Sequence, residues 1–377
     1  MALLSFPRPP EDAFGDLRAD VRAFLARELE GRSCAKRAKS WKAFDPDFSR
    51  KLGARGWIGM TWPKAYGGRE RSSLERYVVQ EELLAAGAPV AAHWIADRQS
   101  GPLLIKYGTE EQRLKYLPRI AAGEHYFCIG MSEPDSGSDL AATRTKAERI
   151  DGGYRVNGTK VWTSHAHEVH SMILFCRTGD AELRHGGVSQ FVVDLDTPGI
   201  TVRPIRDLSG DVHFNEVLFR DVFLPASCIV GTEGEGWKQV TSELAFERSG
   251  PERFLSSFPL FATLTDQLDA ADDRAAIEVG KIVSRLTVLR QLSRSIAGVL
   301  DAGGEPAVEA SIVKDVGTTL DQQIPEIARS LLPMDELSGT DFNEAFALTL
   351  TLAPCFSIQG GTREILRGII ARGLGLR

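Results

Sequence analysis

Apolar positions recur at helical spacing toward both ends of the chain and in short runs between them. Phe14, Leu17, Val21, Phe24, Leu25 and Leu29 share one helical face, and Gly31 follows as a stop. Ser72 with Glu75, and Thr109 with Gln112, have the capping-box spacing ahead of two further helices, the first ending near Gly87 and Pro89, the second running through Leu114 and Leu117. From about Gly123 the texture changes to β-branched and aromatic runs between turn residues. Tyr154 to Val156 leads into an expected turn at Asn157-Gly158. Met172 to Cys176 is a compact apolar run, Phe191 to Leu195 precedes Thr197-Pro198-Gly199, and Asn215 to Pro225 continues the pattern. Strands without intervening helices predict an antiparallel sandwich or barrel. After Gly231 the helical period returns through Trp237, Val240 and Leu244, then from Ile277 to Val299, with a break at Gly303-Gly304-Glu305-Pro306. The expected class is α+β: helical over 1–122, β over 123–230 and helical over 231–377.

At 377 residues and 43% apolar content the chain can bury a sizeable core. Its net charge is −6, and no Lys/Arg run is long enough to track a phosphate backbone, which argues against nucleic acid. Met1 to Pro10 lacks the pattern of a secretory signal, and no apolar run approaches a membrane span. The cysteines, Cys34, Cys128, Cys176, Cys228 and Cys355, are scattered and never form Cys-x-x-Cys, as expected of a reducing cytoplasm and of small packing residues.

Met131 to Asp139 packs hydroxyls, carboxylates and Gly137 into a loop able to offer donors to a polar heterocycle or a phosphate; alone it is equally a solvated turn. Lys160-Val161-Trp162-Thr163-Ser164 adds an indole beside a hydroxyl, which can wall a flat ring and bond its edge, although a single Trp is more often core. His165, His167 and His170 imitate a metal cluster, but no carboxylate or cysteine is arranged with them, and at strand spacing His165 and His167 share a face while His170 points elsewhere, so no metal is expected. Gly231, Gly234 and Gly236 imitate a dinucleotide loop in the wrong order and without a βαβ context.

Taken together these motifs resemble the acyl-CoA dehydrogenase family over nearly the whole chain. Gly56-Trp57, Trp62-Pro63, Tyr66-Gly67-Gly68 and Gly108 to Gln112 are similar to its N-terminal helical domain. Ser132-Glu133-Pro134 with Gly137-Ser138-Asp139 is similar to its first flavin motif, and Gly158 to Ser164 to its second. Val217 to Pro225 and Gly231 to Trp237 look like the exit from its β domain, and Gly360 to Arg372 like its C-terminal flavin segment. The resemblance implies an N-terminal α-helical domain, a middle antiparallel β domain and a C-terminal four-helix bundle, with FAD at a subunit interface. It implies that Ser132 and Ser164 bond the isoalloxazine and that Trp162 covers it, with Met131, Gly137 and Thr163 in the same cofactor segments. Ser138 would meet the flavin loop and the pantetheine arm, and Thr362 and Glu364 the adenosine half. Donors at the ring edge make chemical sense, because they stabilise charge as the ring accepts hydride.

The implied reaction is FAD-dependent α,β-dehydrogenation of an acyl-CoA to its enoyl-CoA, with electrons leaving to a carrier such as an electron-transfer flavoprotein. Many relatives carry the base just before the Gly-Thr of the C-terminal motif; here that place is Gly360. Isovaleryl- and long-chain-type relatives carry it one position before an Arg on the first long C-terminal helix, which matches Phe246-Glu247-Arg248. Glu247 is therefore the expected base, Gly360 the amide that polarises the thioester, and Arg248 a substrate residue; Glu252 is the rival. The chain departs from the family in lacking Arg-x-x-Phe-Gly between Leu255 and Asp301 and Gln-x-x-Gly-Gly between Glu326 and Asn343. Such gaps occur in members that work as mixed oligomers, so a homodimer or homotetramer and a heteromer both stay open. So do a non-catalytic partner subunit and a flavin monooxygenase or nitroalkane oxidase on the same scaffold.

Overall fold

The computed structural model describes residues 4–8, 14–183 and 185–376, except the side chains of residues 181 and 243–247. Among the described residues seven α-helices come first: α1 (Gly15–Glu28), α2 (Cys34–Lys39), α3 (Pro46–Ala54), α4 (Ser73–Ala85), α5 (Ala91–Ile95), α6 (Gly101–Tyr107) and α7 (Glu110–Ala121). Strands β1 (Phe127–Gly130), β2 (Lys146–Ile150), β3 (Gly153–Ser164), β4 (Ser171–Arg177), β5 (Val188–Asp194), β6 (Ile200–Arg206) and β7 (Val212–Pro225) follow. Six helices end the chain: α8 (Gly236–Arg248), α9 (Phe258–Thr265), α10 (Asp273–Asp301), α11 (Ala307–Leu331), α12 (Asp341–Phe356) and α13 (Arg363–Gly373). The helical, β, helical order read from the sequence is the observed one. The Ser72/Glu75 and Thr109/Gln112 capping boxes both form, each hydroxyl accepting one orphan amide while the partner side chain accepts another. The helix α3 was not legible as an apolar period; Asp45 starts it by accepting from the Phe48 amide, with Pro46 in its first turn.

The chain divides into two compact units. One comprises Met1–Ala43, Arg71–Ala91 and Leu244–Arg377, and is helical; the other comprises Phe44–Glu70 and Ala92–Glu243, and holds the sheet. In the helical unit α4 packs on α1 and α10, while α11 packs on α10, α12 and α13. Glu81 and Glu82 of α4 are buried there against Arg18, Arg22 and Arg290. Because both acids are paired with cations, their desolvation is compensated.

In the sheet unit the strand order is β1-β4-β2-β3-β7-β6, with β5 on β4. Tyr154, Val156, Met172, Leu174, Phe191, Val217 and Phe219 form the centre of its core. The sheet is not purely antiparallel as expected: β1 pairs β4 in parallel, and β2 meets β4 in parallel at Lys146 and Arg177. Every residue of β4 is buried, which is why its run Met172 to Cys176 reads as continuously apolar.

Asn157-Gly158 is not a turn, contrary to the sequence expectation. Both residues lie inside β3, and the β2–β3 hairpin closes six residues earlier at Asp151-Gly152. Asn157 sits opposite a bulge in β7, where Asp221 has φ +50°. Its side-chain oxygen accepts from the Asp221 amide (2.9 Å) and its nitrogen donates to the Asp221 carboxylate (3.1 Å). At Gly158 a Cβ would stand 2.5 Å from Thr145 Oγ1, so the glycine makes room rather than a reversal. The Asn-Gly pair serves a bulge, and local sequence alone does not separate the two uses.

Candidate functional site

In the sheet unit the site grows from a second bulge. Between the Lys160–Val217 and Thr163–Asn215 pairs, β3 has two residues where β7 has one. Trp162 takes the left-handed conformation there, with φ +59°, costly for a bulky aromatic residue and characteristic of functional positions. The bulge frees the Val161 amide from the ladder, and it donates instead to the Ser132 carbonyl at 2.9 Å. It also turns the indole outward. Trp162 is 58% exposed, braced edge-on by Phe214 with centroids 5.9 Å apart. Trp162 and Ser164 of β3 and Ser132 of the loop are thus tied to one another through the backbone.

A buried ion pair fixes that loop. Lys160 is fully buried and donates to Glu133 Oε1 (2.8 Å), the Met131 carbonyl (2.9 Å) and Thr143 Oγ1 (3.0 Å). Glu133 accepts also from the Arg144 amide (2.7 Å), the Thr145 amide (2.9 Å) and the Thr143 hydroxyl. Burial alone would raise the Glu133 pKa, but the Lys160 charge and these donors hold it down at about 2. Burial conversely lowers that of Lys160, with Glu133 opposing. Sequence reading took Glu133 and Lys160 only as letters of two motifs. The signal that could have found them is a lysine at an inward position of a strand, which requires a buried acceptor.

Met131 packs with Leu140, Phe175, Val188, Val240 and Trp237, anchoring the start of the loop. Gly137 and Ser138 are exposed at its far end, and a Cβ at 137 would meet nothing. Thr163 points the other way from Trp162: it is buried, and its carbonyl accepts from Asn215 Nδ2 at 3.0 Å. Among the described residues no hydrogen bond engages the Ser132 or Ser164 hydroxyl. An exposed, braced indole with two unspent hydroxyls on adjoining segments fits a flat heteroaromatic ring that needs edge donors, as FAD does.

In the helical unit the other predicted residues gather at the turn between α12 and α13. Gly360 and Gly361 have φ of +71° and +101°, a conformation that suits only glycine in succession. Arg248, buried at the end of α8, donates from Nε to the Gly360 carbonyl at 3.2 Å. Thr362 stands at the N-terminal boundary of α13 without a side-chain capping bond, and the exposed Glu364 carboxyl lies below its ordinary pKa because its own amide and the Thr362 hydroxyl bond it. The Glu247 side chain lies outside the described residues; its backbone is in the last turn of α8, one residue before Arg248. Glu252, the rival base, is buried with the Arg253 guanidinium 3.3 Å away.

The histidines are structural. His165 bonds Glu168 at 2.8 Å, so a carboxylate does stand beside them, contrary to the sequence reading, and His165 to Val169 form a turn rather than strand. Among the described residues no group of three or more metal-binding side chains forms, and no helix is long and apolar enough to cross a membrane.

Sequence models of the acyl-CoA dehydrogenase N-terminal, middle and C-terminal domains match residues 12–124, 128–222 and 270–375. The acyl-CoA dehydrogenase IpdE1 of Mycobacterium tuberculosis is 34% identical over 376 residues, covering 96% of this chain and 97% of that protein. Among solved structures, one described as the Tcur3481-Tcur3483 steroid ACAD superimposes with a TM-score of 0.87 at 27% identity, covering 99% of both chains. The ChsE4-ChsE5 complex from Mycobacterium tuberculosis gives a TM-score of 0.84 at 28% identity, covering 98% of both chains. On the domain matches, the full-length relative and the fold, the chain belongs to the acyl-CoA dehydrogenase family of FAD-dependent oxidoreductases.

Proposed function

We propose that the protein dehydrogenates an acyl-CoA thioester between its α and β carbons, with Glu247 as the base. The observation that carries this assignment is the Arg248–Gly360 hydrogen bond, which brings the helix end bearing Glu247 to the Gly360–Gly361 turn. A glycine at 360 puts no carboxylate there, and the base comes from the neighbouring residue of α8. Glu252 is the less favoured candidate because its buried carboxylate faces the Arg253 guanidinium at 3.3 Å. The Gly360 amide polarises the thioester carbonyl, which acidifies the α proton, and Glu247 removes it. FAD, when bound, supplies the hydride acceptor. Trp162 covers the ring, the Ser132 and Ser164 hydroxyls donate to its edge, and Thr362 and Glu364 meet the adenosine half. Ser138, exposed at the loop end, reaches toward the pantetheine arm.

The substrate class and partners are read from the relatives. Likeness to a protein described as a steroid ACAD favours a bulky, ring-bearing acyl group. Likeness to the ChsE4-ChsE5 complex, together with the two missing FAD-contact segments, favours assembly with a second, different subunit. Electrons leave to a carrier such as an electron-transfer flavoprotein.

The test is anaerobic titration of the FAD-loaded protein, with and without candidate partner subunits, using straight-chain, branched and steroid side-chain acyl-CoAs while following the flavin absorbance. Bleaching by one class is expected. Glu247→Gln should keep FAD and bind the acyl-CoA yet slow bleaching by several orders of magnitude. Retained bleaching there, with loss in Glu252→Gln, moves the base. A protein that takes up no FAD under any pairing is the non-catalytic subunit instead.

A further inference from the structure

We propose that Lys314 is a positioning residue for the thioester carbonyl: together with Arg248 it anchors two consecutive carbonyl oxygens of the Gly360–Gly361 turn and so fixes the direction of the turn's amides. The proposal rests on the reading of Gly360 given above.

Lys314 lies in the third turn of α11 and is fully buried. A buried ammonium is costly unless it is well bonded, so its acceptors report what the position is for. Its Nζ donates to the Gly361 carbonyl at 2.5 Å, while Arg248 Nε donates to the Gly360 carbonyl at 3.2 Å. The two cations come from different helices and engage successive peptide groups. On the other side the turn is held by α12, whose Cys355 carbonyl accepts from the Ile358 and Gln359 amides at 3.0 and 3.2 Å. Arg248 thus holds the peptide that follows Gly360 and Lys314 the one after it, while the Gln359 amide before it is bonded to Cys355, so the Gly360 amide is confined between held neighbours.

The packing enforces the same geometry. A Cβ at Gly361 would come within 3.2 Å of Arg248 Nη2, and both glycines are in left-handed backbone. A free Gly-Gly turn would be loose, since glycine has the widest conformational choice. Here that choice is removed by charge. Within each trans peptide the carbonyl and the next amide point oppositely, so carbonyls drawn toward Lys314 and Arg248 send the Gly361 and Thr362 amides the other way.

The plainer account is that Lys314 only stabilises the carbonyl-rich end of α12, as cations near helix C-termini do. Under that account, loss of Lys314 lowers stability and leaves carbonyl polarisation untouched. The two accounts separate in the infrared carbonyl stretch of a bound thioester. The probe is the 13C-carbonyl enoyl-CoA product of whichever acyl-CoA bleaches the flavin, bound to FAD-loaded wild-type and Lys314→Met protein. Wild-type binding should lower the stretching frequency. Lys314→Met should lose at least half of that shift and reduce flavin about 10- to 100-fold more slowly, the span of one hydrogen bond to a charged group. A Met variant with the full wild-type shift overturns the proposal, whatever its melting temperature. If Lys314→Met does not accumulate as folded protein, Lys314→Gln, which keeps a donor without charge, should show an intermediate shift, and a full shift there overturns it equally. A wild type that bleaches with no acyl-CoA refutes the function itself, which distinguishes that failure from this one.

Discussion

Replacing Lys160 by Met should cost the sheet unit about 3–5 kcal/mol, because it removes one partner of a buried ion pair and leaves the other charge in place. Lys160 makes three bonds at 2.8–3.0 Å, to Glu133, Met131 and Thr143, and none of its surface reaches water. Methionine fills similar volume, so the loss is electrostatic and not a cavity. Glu133 would keep the Arg144 and Thr145 amides and the Thr143 hydroxyl, which places the cost toward the lower end of the range. At roughly 2–4 °C per kcal/mol for a unit of this size, the apoprotein should melt about 6–20 °C lower. The Met131 carbonyl would also be released, so the Ser132 segment loosens and FAD is held less tightly. The assay is thermal melting by circular dichroism with a parallel FAD-retention measurement. The decisive comparison is the double variant Lys160→Met with Glu133→Leu, which removes both charges and should regain most of the lost melting temperature. A double variant no better than the single one would show that the loop is not held by this pair, and the reasoning would fail.

Ser164→Ala should fold and bind FAD yet reduce it more slowly, by up to the loss of about 2.7–4 kcal/mol seen for a donor to developing charge; single-turnover stopped-flow at the wild-type rate would contradict the placement of the ring edge. Trp162→Gly should leave apoprotein melting unchanged or raised, because the residue is mostly exposed and its left-handed backbone suits glycine, while weakening FAD retention. A large drop in apoprotein melting would make Trp162 a core residue after all. Glu133 has a folded pKa of about 2, below its unfolded value, so its contribution is complete above about pH 4.5 and is lost as pH falls toward 2. Glu133→Gln should therefore flatten the acid limb of the stability profile measured by denaturant melts between pH 5 and 2, and an unaltered limb would assign that limb to other carboxylates.

The sequence by itself determined the helical, β, helical order, because that rests on local quantities. Apolar spacing along α1 and α10, hydroxyls three residues ahead of Glu75 and Gln112, and the unbroken apolar run of β4 are each visible within a dozen residues. The motif segments Ser132 to Asp139, Lys160 to Ser164 and Gly360 to Glu364 were legible for the same reason, as short stretches of unusual chemistry. Only the tertiary structure decided what those stretches do. Asn157-Gly158 has the composition of a hairpin turn, but the opposite strand supplies Asp221 at a bulge, and Thr145 approaches where a Cβ would have stood. Glu133 and Lys160 lie 27 residues apart and Lys314 and Gly361 lie 47 apart, so no local window pairs them. Whether a Lys is a solvated side chain or a buried anchor depends on which acceptor the fold carries to it. Trp162 makes the same point, since a Trp on a strand is by default a core residue, and it is the extra residue of the bulge that turns it out to solvent.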